Sequence, residues 1–224
     1  MPLHILPDLI QGSDAWHDQR RGIVTASVVG KLVTPATVKT ANNDESRGLT
    51  ALLAAERITG YTEPTYVSDD MLRGIEDEPR AVDVYGKHYA EVTTVGFMIR
   101  DDWGFKIGYS PDGLVGDDGL IEVKSRRQKK HLQTILADEA PSENMAQLQC
   151  ALLVSGREWI DYVSFSGGMA LWVKRVYPDP KWFGAIVAAV DTFEKTAAGM
   201  LAAYEAATAG LPTTERINLD EMVI

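Results

Sequence analysis

The sequence contains one cysteine, Cys150, and no long uninterrupted apolar run. A single cysteine excludes an internal disulfide framework, a four-cysteine zinc site and a four-cysteine iron–sulfur cluster within one chain. No apolar stretch approaches the ~20 residues that a membrane-spanning helix needs. Low cysteine use is typical of reducing compartments, so we expect a cytoplasmic protein without a membrane partner.

Basic residues are in the minority. The 22 Lys and Arg residues are outnumbered by 32 Asp and Glu residues, which gives a net charge of −10 and a pI of about 4.9. This balance argues against a general nucleic-acid coating protein, because such proteins are usually basic. A local basic site is not excluded, because net charge governs solubility and long-range steering rather than the contents of one cleft.

The rest of the composition is that of a globular domain. Of the 224 residues, 45% are hydrophobic and 24% are charged, which are ordinary values for a folded domain. We find neither an internal repeat nor a low-complexity linker. The length therefore predicts one domain over residues 1–224, with its core at about residues 12–210 and a mobile tail at residues 211–224.

Apolar periodicity and capping residues predict a series of helices, at residues 13–20, 25–33, 46–58, 69–89, 129–136, 142–154 and 179–210. Alternating patterns predict strands at residues 92–99, 105–109, 113–115, 120–124, 159–165 and 170–176. Pro79 should kink or break the fourth helix. The buried face of that helix is expected to carry Met71, Leu72, Ile75, Val82, Tyr85 and Tyr89. The order of elements predicts a mixed α/β domain with a central sheet.

Two carboxylates and a lysine are expected to meet at the strand over residues 120–124. Side chains alternate across a strand, so Glu122 and Lys124 share one face. Residues 117–119, Asp-Asp-Gly, are typical of a hairpin turn. Such a turn would fold Asp112 back toward Glu122.

This trio suits metal-assisted hydrolysis of a phosphodiester. Two carboxylates can hold Mg²⁺, and the Val123 carbonyl is a possible further ligand. Lys124 could orient or deprotonate a water, or stabilise the charge that builds on phosphorus. The alternative is a solvated strand face, on which a Glu–Lys pair contributes about 0–1 kcal/mol. The residues alone leave both interpretations open.

Four blocks of the sequence together resemble the phage lambda exonuclease family, also called the YqaJ-type viral recombinases. This family belongs to the PD-(D/E)XK nuclease superfamily. The core block is residues 110–114 (SPDGL) with residues 120–124 (LIEVK). The others are Trp16 to Arg20 with Thr25-Ala26-Ser27, then Gly74 to Glu78 and on to Tyr85, and finally Met145 to Gln149 with Trp159. The resemblance spans roughly residues 12–165 and implies a restriction-endonuclease-like core, with a central mixed sheet flanked by helices.

The resemblance implies a magnesium site. Asp112, Glu122 and the Val123 carbonyl would hold Mg²⁺, for which Mn²⁺ would substitute. Glu78 would lie close to the metal, either through a water or as a ligand of a second ion. The sequence does not decide between one ion and two.

The resemblance also implies roles toward the substrate. Lys124 would act on the attacking water, and Gln147 would position the nucleophile or the scissile phosphate. Arg20 and Ser27 would bind the terminal phosphate or a nearby backbone phosphate. Arg21 is adjacent to Arg20 and could take that role, although the motif spacing favours Arg20.

The sequence departs from the family pattern at two places. Family members often have an aromatic residue where this chain has Asn144. A Cys-Pro pair often follows the lysine, where this chain has Ser125-Arg126. Neither departure touches a proposed ligand, but the second leaves open the path of the chain after the strand over residues 120–124.

One dense basic cluster follows Lys124, and it consists of Arg126, Arg127, Lys129, Lys130 and His131. The cluster could be a solvated helix start, but its position in an acidic protein favours contact with the DNA backbone. Phosphate contacts fix position without reading bases, so we expect little sequence preference.

By this resemblance we expect a Mg²⁺-dependent 5′-to-3′ exonuclease that acts on linear double-stranded DNA with 5′-phosphorylated ends. It would leave 3′ single-stranded tails for a phage single-strand annealing protein, within a bacterial or phage-infected cell. A ring-shaped homotrimer is also implied. The alternatives are an endonuclease or structure-specific nuclease with the same site, and a DNA-binding protein of this fold that has lost catalysis.

Overall fold

The computed structural model describes residues 3–64 and 66–216 of the chain. The α-helices in this part are α1 (Asp14–Arg20), α2 (Asp44–Thr59), α3 (Asp69–His88), α4 (Gln128–Ala137), α5 (Ser142–Ser155) and α6 (Pro180–Thr208). The strands are β1 (Leu3–Leu6), β2 (Val24–Thr25), β3 (Val33–Thr34), β4 (Lys39–Thr40), β5 (Phe97–Arg100), β6 (Ile107–Tyr109), β7 (Gly113–Val115), β8 (Gly119–Ser125), β9 (Trp159–Phe165) and β10 (Trp172–Val176). Of the predicted tail, residues 211–216 contain no helix or strand, and residues 217–224 lie outside the described residues.

The strands form two four-stranded sheets and one small hairpin. The first sheet has the order β1-β5-β6-β2, and the second has the order β10-β9-β8-β7. In the second sheet β8 pairs parallel with β9, while β7 and β10 pair antiparallel with their neighbours. The predicted mixed α/β class is thus confirmed, with the strands divided between two sheets.

The helices cover the second sheet on both faces. Helix α5 packs against strands of both four-stranded sheets and is almost wholly buried beyond its first turn. Helix α3 covers the other face of β8, where Ala81 and Tyr85 pack with Ile121 and Val123. Strand β8 therefore lies between two helices, and its alternate side chains face different layers. None of the helices in the described residues is long and apolar enough to cross a membrane.

The predicted helix over residues 25–33 is wrong. This segment contains the end of β2, a short 3₁₀ helix at Val29–Lys31 and the start of β3. Val24 pairs parallel with Ile107 of β6. The segment is rich in β-branched residues, which favour extended backbone, and pairing with β6 decides its conformation.

The predictions for α3 are partly wrong. The helix runs without a break through Pro79, which lies on its exposed side. Because proline has no backbone N–H, one carbonyl in the preceding turn lacks its helical donor, and water can donate a hydrogen bond to it instead. Tyr85 is buried and Val82 is partly buried, as expected. The other four predicted core residues, Met71, Leu72, Ile75 and Tyr89, are 48%, 51%, 65% and 55% exposed. The inward face instead carries Asp77, which accepts a hydrogen bond from the Ser125 hydroxyl, and Ala81.

Candidate active site

The hairpin of β7 and β8 brings Asp112 and Glu122 to one place. Asp112 lies immediately before β7, and its Oδ2 accepts a hydrogen bond of 2.7 Å from the Val123 amide. Lys124 donates from Nζ to Glu122 Oε1 at 2.7 Å, so these two side chains share a face of β8. The structure therefore gathers the trio that the strand period and the turn predict.

Glu122 is the most constrained member of this group. Its side chain is 2% exposed, and Oε1 accepts hydrogen bonds from Lys124 and from Gln147 Nε2 on α5. Its other oxygen, Oε2, is buried and has no hydrogen-bond partner among the described residues. A buried carboxylate oxygen without a donor is costly, so a cation is the natural partner for Glu122 Oε2.

The electrostatics also favour a cation. Burial raises the pKa of Asp112 well above its usual range, and the charges of Glu122 and Glu78 raise it further. Burial also raises the pKa of Glu78, with Glu122 adding to the effect and Lys124 opposing it. Burial lowers the pKa of Lys124, but Glu122 and Asp112 outweigh this effect, so the lysine pKa is raised overall. The carboxyl groups of Asp112, Glu122 and Glu78 thus lie near one ammonium group, that of Lys124.

The residues present fit a magnesium ion better than a metal whose ligands must all come from the protein. Within residues 3–64 and 66–216, no group of three His, Cys, Asp or Glu residues is placed to hold a metal by itself. An ion would take oxygens of Asp112 and Glu122, the Val123 carbonyl, and water or phosphate oxygens. Mg²⁺ prefers oxygen ligands and usually retains several waters.

A second polar pocket surrounds Arg20 at the end of α1. The guanidinium lies over the Trp16 ring, 4.0 Å from its centroid. Nη1 donates to Ser110 Oγ at 3.0 Å, and Nη2 donates to Thr25 Oγ1 at 3.3 Å and Ser27 Oγ at 3.1 Å. The structure therefore brings the predicted phosphate-binding residues Arg20 and Ser27 together, with two further hydroxyl groups.

The two adjacent arginines differ in their surroundings. Arg21 is paired with Asp18 on the surface. Arg20 has no ion-pair partner in the described part of the chain, and burial lowers its pKa to about 10, with Glu56 acting in the opposite direction. Arg20 remains charged at neutral pH. A half-buried cation among hydroxyl groups is suited to an anion such as phosphate.

Sequence reasoning missed part of this pocket. Ser110 also accepts a hydrogen bond from Trp16 Nε1 at 2.9 Å, so it connects the N-terminal motif to the loop before β7. Ser110 and Trp16 both belong to sequence blocks with family resemblance, but the resemblance implies a phosphate contact for neither of them. The available signal was that Ser110 lies two residues before Asp112.

The basic cluster after Lys124 is divided by the structure. Arg127 and Lys130 are 69% and 61% exposed, and they pair with Asp70 and Glu143. Lys129 is exposed as well. These three cations are available to a long anion such as the DNA backbone.

The inner members of the basic cluster behave differently. The prediction that His131 belongs to a DNA-facing cluster is wrong, because His131 is fully buried. Its ring nitrogens contact Ser164 Oγ at 2.8 Å and the Ala170 carbonyl at 2.9 Å. The helical period of α4 turns His131 toward β9, away from Lys129 and Lys130. Arg126 also points inward, with 13% of its side chain exposed.

Comparisons with known proteins show which family and which solved structures this chain resembles. A family model for the YqaJ-like viral recombinase domain matches residues 15–158. The structure is similar to that of an alkaline exonuclease, LHK-Exo, from Laribacter hongkongensis, with a TM-score of 0.79 and 29% identity over 89% of this chain and 100% of the other. That enzyme has also been solved in complex with dAMP, with the same degree of similarity.

A phage-related exonuclease from Haemophilus somnus has the same fold, with a TM-score of 0.61 and 14% identity over 81% of this chain and 96% of the other. A comparison with curated protein sequences found no significant match. The family model covers well over half of the 224 residues, and its span includes the hairpin, α5 and the Arg20 pocket. The chain belongs to the YqaJ-like viral recombinase family.

Proposed function

We propose that the protein is a Mg²⁺-dependent exonuclease that degrades one strand of linear double-stranded DNA from a 5′-phosphorylated end. Family membership and the likeness to an alkaline exonuclease support a DNA nuclease. One observation carries the finer proposal. A cationic pocket around Arg20 and an acidic centre around Glu122 are connected through residues 110–112, so a terminal phosphate and a nearby phosphodiester can be held together.

In this proposal the acidic centre is the hydrolytic site. Asp112, Glu122 and the Val123 carbonyl would hold Mg²⁺, with Glu78 close by. When bound, the ion would polarise a phosphoryl oxygen and lower the pKa of a water. Lys124 and Gln147 both donate to Glu122 Oε1. From there Lys124 would act on the attacking water, and Gln147 would position the nucleophile or the scissile phosphate. Mn²⁺ should substitute, because it accepts similar oxygen ligands.

The polar pocket would select the end of the DNA. Arg20 offers a planar fork for phosphate oxygens. The Ser110 hydroxyl can turn a hydrogen toward an anion, and so can one hydroxyl of the hydrogen-bonded pair Thr25 and Ser27. Binding of a 5′-phosphate there would place the neighbouring phosphodiester toward the acidic centre. This arrangement supports digestion that starts at the 5′ end.

The exposed cations at the start of α4, which include its N-cap residue Arg127, would hold the adjoining duplex. Arg127, Lys129 and Lys130 lie just after the strand that carries Glu122 and Lys124. In a protein of net charge −10, such a local basic strip concentrates DNA at one place. These contacts would be to phosphates, which supports cleavage with little sequence preference.

We propose three wider features from family membership. The protein would form a homotrimeric ring around DNA, act in the cytoplasm of a bacterial or phage-infected cell, and leave 3′ tails for a phage single-strand annealing protein. A native mass measurement at micromolar concentration should give three chains, and a monomer would contradict the ring.

The experiment that tests the proposed function compares DNA forms. Linear duplex, nicked circle and closed circle are incubated with the protein in Mg²⁺, in Mn²⁺ and with EDTA. We expect only the linear duplex to be digested, only with a metal, and not by D112N. Cutting of the closed circle would instead favour an endonuclease, and inactivity of the wild type with both metals would favour a DNA-binding protein.

A further inference from the structure

A hydrogen bond joins the residue that follows β8 to the first turn of α5. In the structure Arg126 Nη2 donates a hydrogen bond to Asn144 Oδ1, across 18 residues of sequence. Arg126 and Asn144 therefore form a polar contact between the end of β8 and the first turn of α5.

The guanidinium of Arg126 is engaged by the protein itself. Nε and Nη2 donate to the Tyr162 hydroxyl at 3.2 and 3.0 Å, and Nη1 donates to Glu143 at 3.4 Å. With a side chain 13% exposed, Arg126 differs from its neighbour Arg127, which is 69% exposed. Few of its donors remain for a phosphate.

The groups that Arg126 connects lie beside the acidic centre. Tyr162 is fully buried on β9 and is the register partner of Glu122 on β8. Asn144 and Gln147 are three residues apart on α5, so they lie on the same side of the helix. Gln147 donates to Glu122 Oε1. Arg126 thus ties α5 to β9 one helical turn before the residue that reaches Glu122.

We propose that Arg126 is a positioning residue, which holds α5 so that Gln147 meets Glu122, and that it is not a contact to DNA. This inference rests on the proposed function. Arg126, Asn144 and Tyr162 form a polar clamp between α5 and β9. Small displacements of catalytic groups lower turnover strongly, so the clamp should affect the rate constant and not DNA affinity.

Three variants test the clamp: R126Q, Y162F and N144L. Y162F is the most informative, because its hydroxyl is buried and cannot touch DNA. We expect each variant to lower kcat about tenfold or more, with DNA affinity and its salt dependence unchanged. The effects of R126Q and Y162F on kcat should not add, because both variants remove the hydrogen bonds between Arg126 and Tyr162. R127Q is the matched comparison, and it should weaken DNA binding and reduce its salt dependence.

A metal-free measurement separates this inference from the proposed function. The side-chain amide resonance of Gln147 should shift in R126Q and Y162F and stay in place in R127Q, whether or not the protein cleaves DNA. Thermal unfolding checks that each variant is folded. If R126Q does not fold, Y162F and N144L provide the test.

Two results would overturn the positioning role. The first is a loss of DNA affinity and salt dependence in R126Q with Y162F unaffected, which would make Arg126 a DNA contact. The second is a wild-type kcat in all three variants together with an unmoved Gln147 resonance. Inactivity of the wild type, with the Gln147 resonance shifted as expected, would count against the proposed function alone.

Discussion

The guanidinium of Arg20 donates a hydrogen bond of 3.0 Å to the hydroxyl of Ser110, two residues before Asp112. This contact joins the N-terminal helix to the loop that leads into the acidic centre. A change at Arg20 should therefore affect how the end of a DNA strand is presented for hydrolysis. It should leave the carboxylates in place.

Replacing Arg20 should abolish the preference for phosphorylated ends. We expect R20Q to lower kcat/KM on a 5′-phosphorylated duplex about tenfold to a hundredfold, because a charge-assisted hydrogen bond contributes about 1.5–3 kcal/mol. The same variant should change little on a 5′-hydroxyl duplex. R21Q is the matched control, since Arg21 pairs with Asp18 on the surface. Loss of the preference in R21Q and not in R20Q would assign the phosphate to Arg21.

Replacing Lys124 should separate binding from cleavage. We expect K124A to lower the cleavage rate at least a hundredfold, because the ammonium lies beside Glu122 at the acidic centre. Affinity for DNA should stay close to that of the wild type in a gel-shift titration. K195Q removes an exposed lysine on α6 and serves as the control for charge alone. A wild-type cleavage rate in K124A would show that Lys124 takes no part in the hydrolysis.

A divalent cation should stabilise the wild type. Mg²⁺ at a hundred times its dissociation constant should raise the free energy of unfolding by about 2.7 kcal/mol. The stability of D112N and E122Q should rise much less with Mg²⁺, because each variant removes a ligand.

Without metal, D112N should be more stable than the wild type. Its side-chain amide keeps an acceptor for the Val123 N–H, and the loss of the negative charge relieves repulsion with Glu122 and Glu78. Differential scanning calorimetry with and without EDTA measures both effects, and an equal response of all three proteins to Mg²⁺ would contradict the site.

The exposed cations at the start of α4 should contribute to the salt dependence of DNA binding. Neutralising Arg127 and Lys130 together should lower the slope of log affinity against log salt by about 1.8, for two lost phosphate contacts. The test is a fluorescence-anisotropy titration at several salt concentrations with R127Q/K130Q and with K195Q. An unchanged slope in the double variant would show that Arg127 and Lys130 do not contact DNA phosphates.

The acidic centre could be predicted from sequence because local rules determine it. The strand period puts Glu122 and Lys124 on one face, and the turn after β7 returns Asp112 to them. Each inference uses residues within one hairpin, so no knowledge of the rest of the fold is required. The predicted trio is present in the structure for this reason.

Features that depend on packing between distant segments could not be predicted. The exposed side of α3 carries Met71, Leu72 and Ile75, because apolar periodicity indicates a helix but not which neighbour covers it. His131 reads as part of a basic run, yet β9 buries it. The inward turn of Arg126 depends on Tyr162, which lies 36 residues later in the chain.

The most direct test of the central claim is a strand-resolved digestion. A linear duplex carries a 5′-phosphate on one strand only and a different internal fluorophore in each strand, and nicked and closed circles are digested alongside. We predict that only the phosphorylated strand is lost, from its 5′ end, with Mg²⁺ present and both circles intact. Loss of the other strand, digestion from the 3′ end, or cutting of the closed circle would contradict a 5′-phosphate-dependent exonuclease.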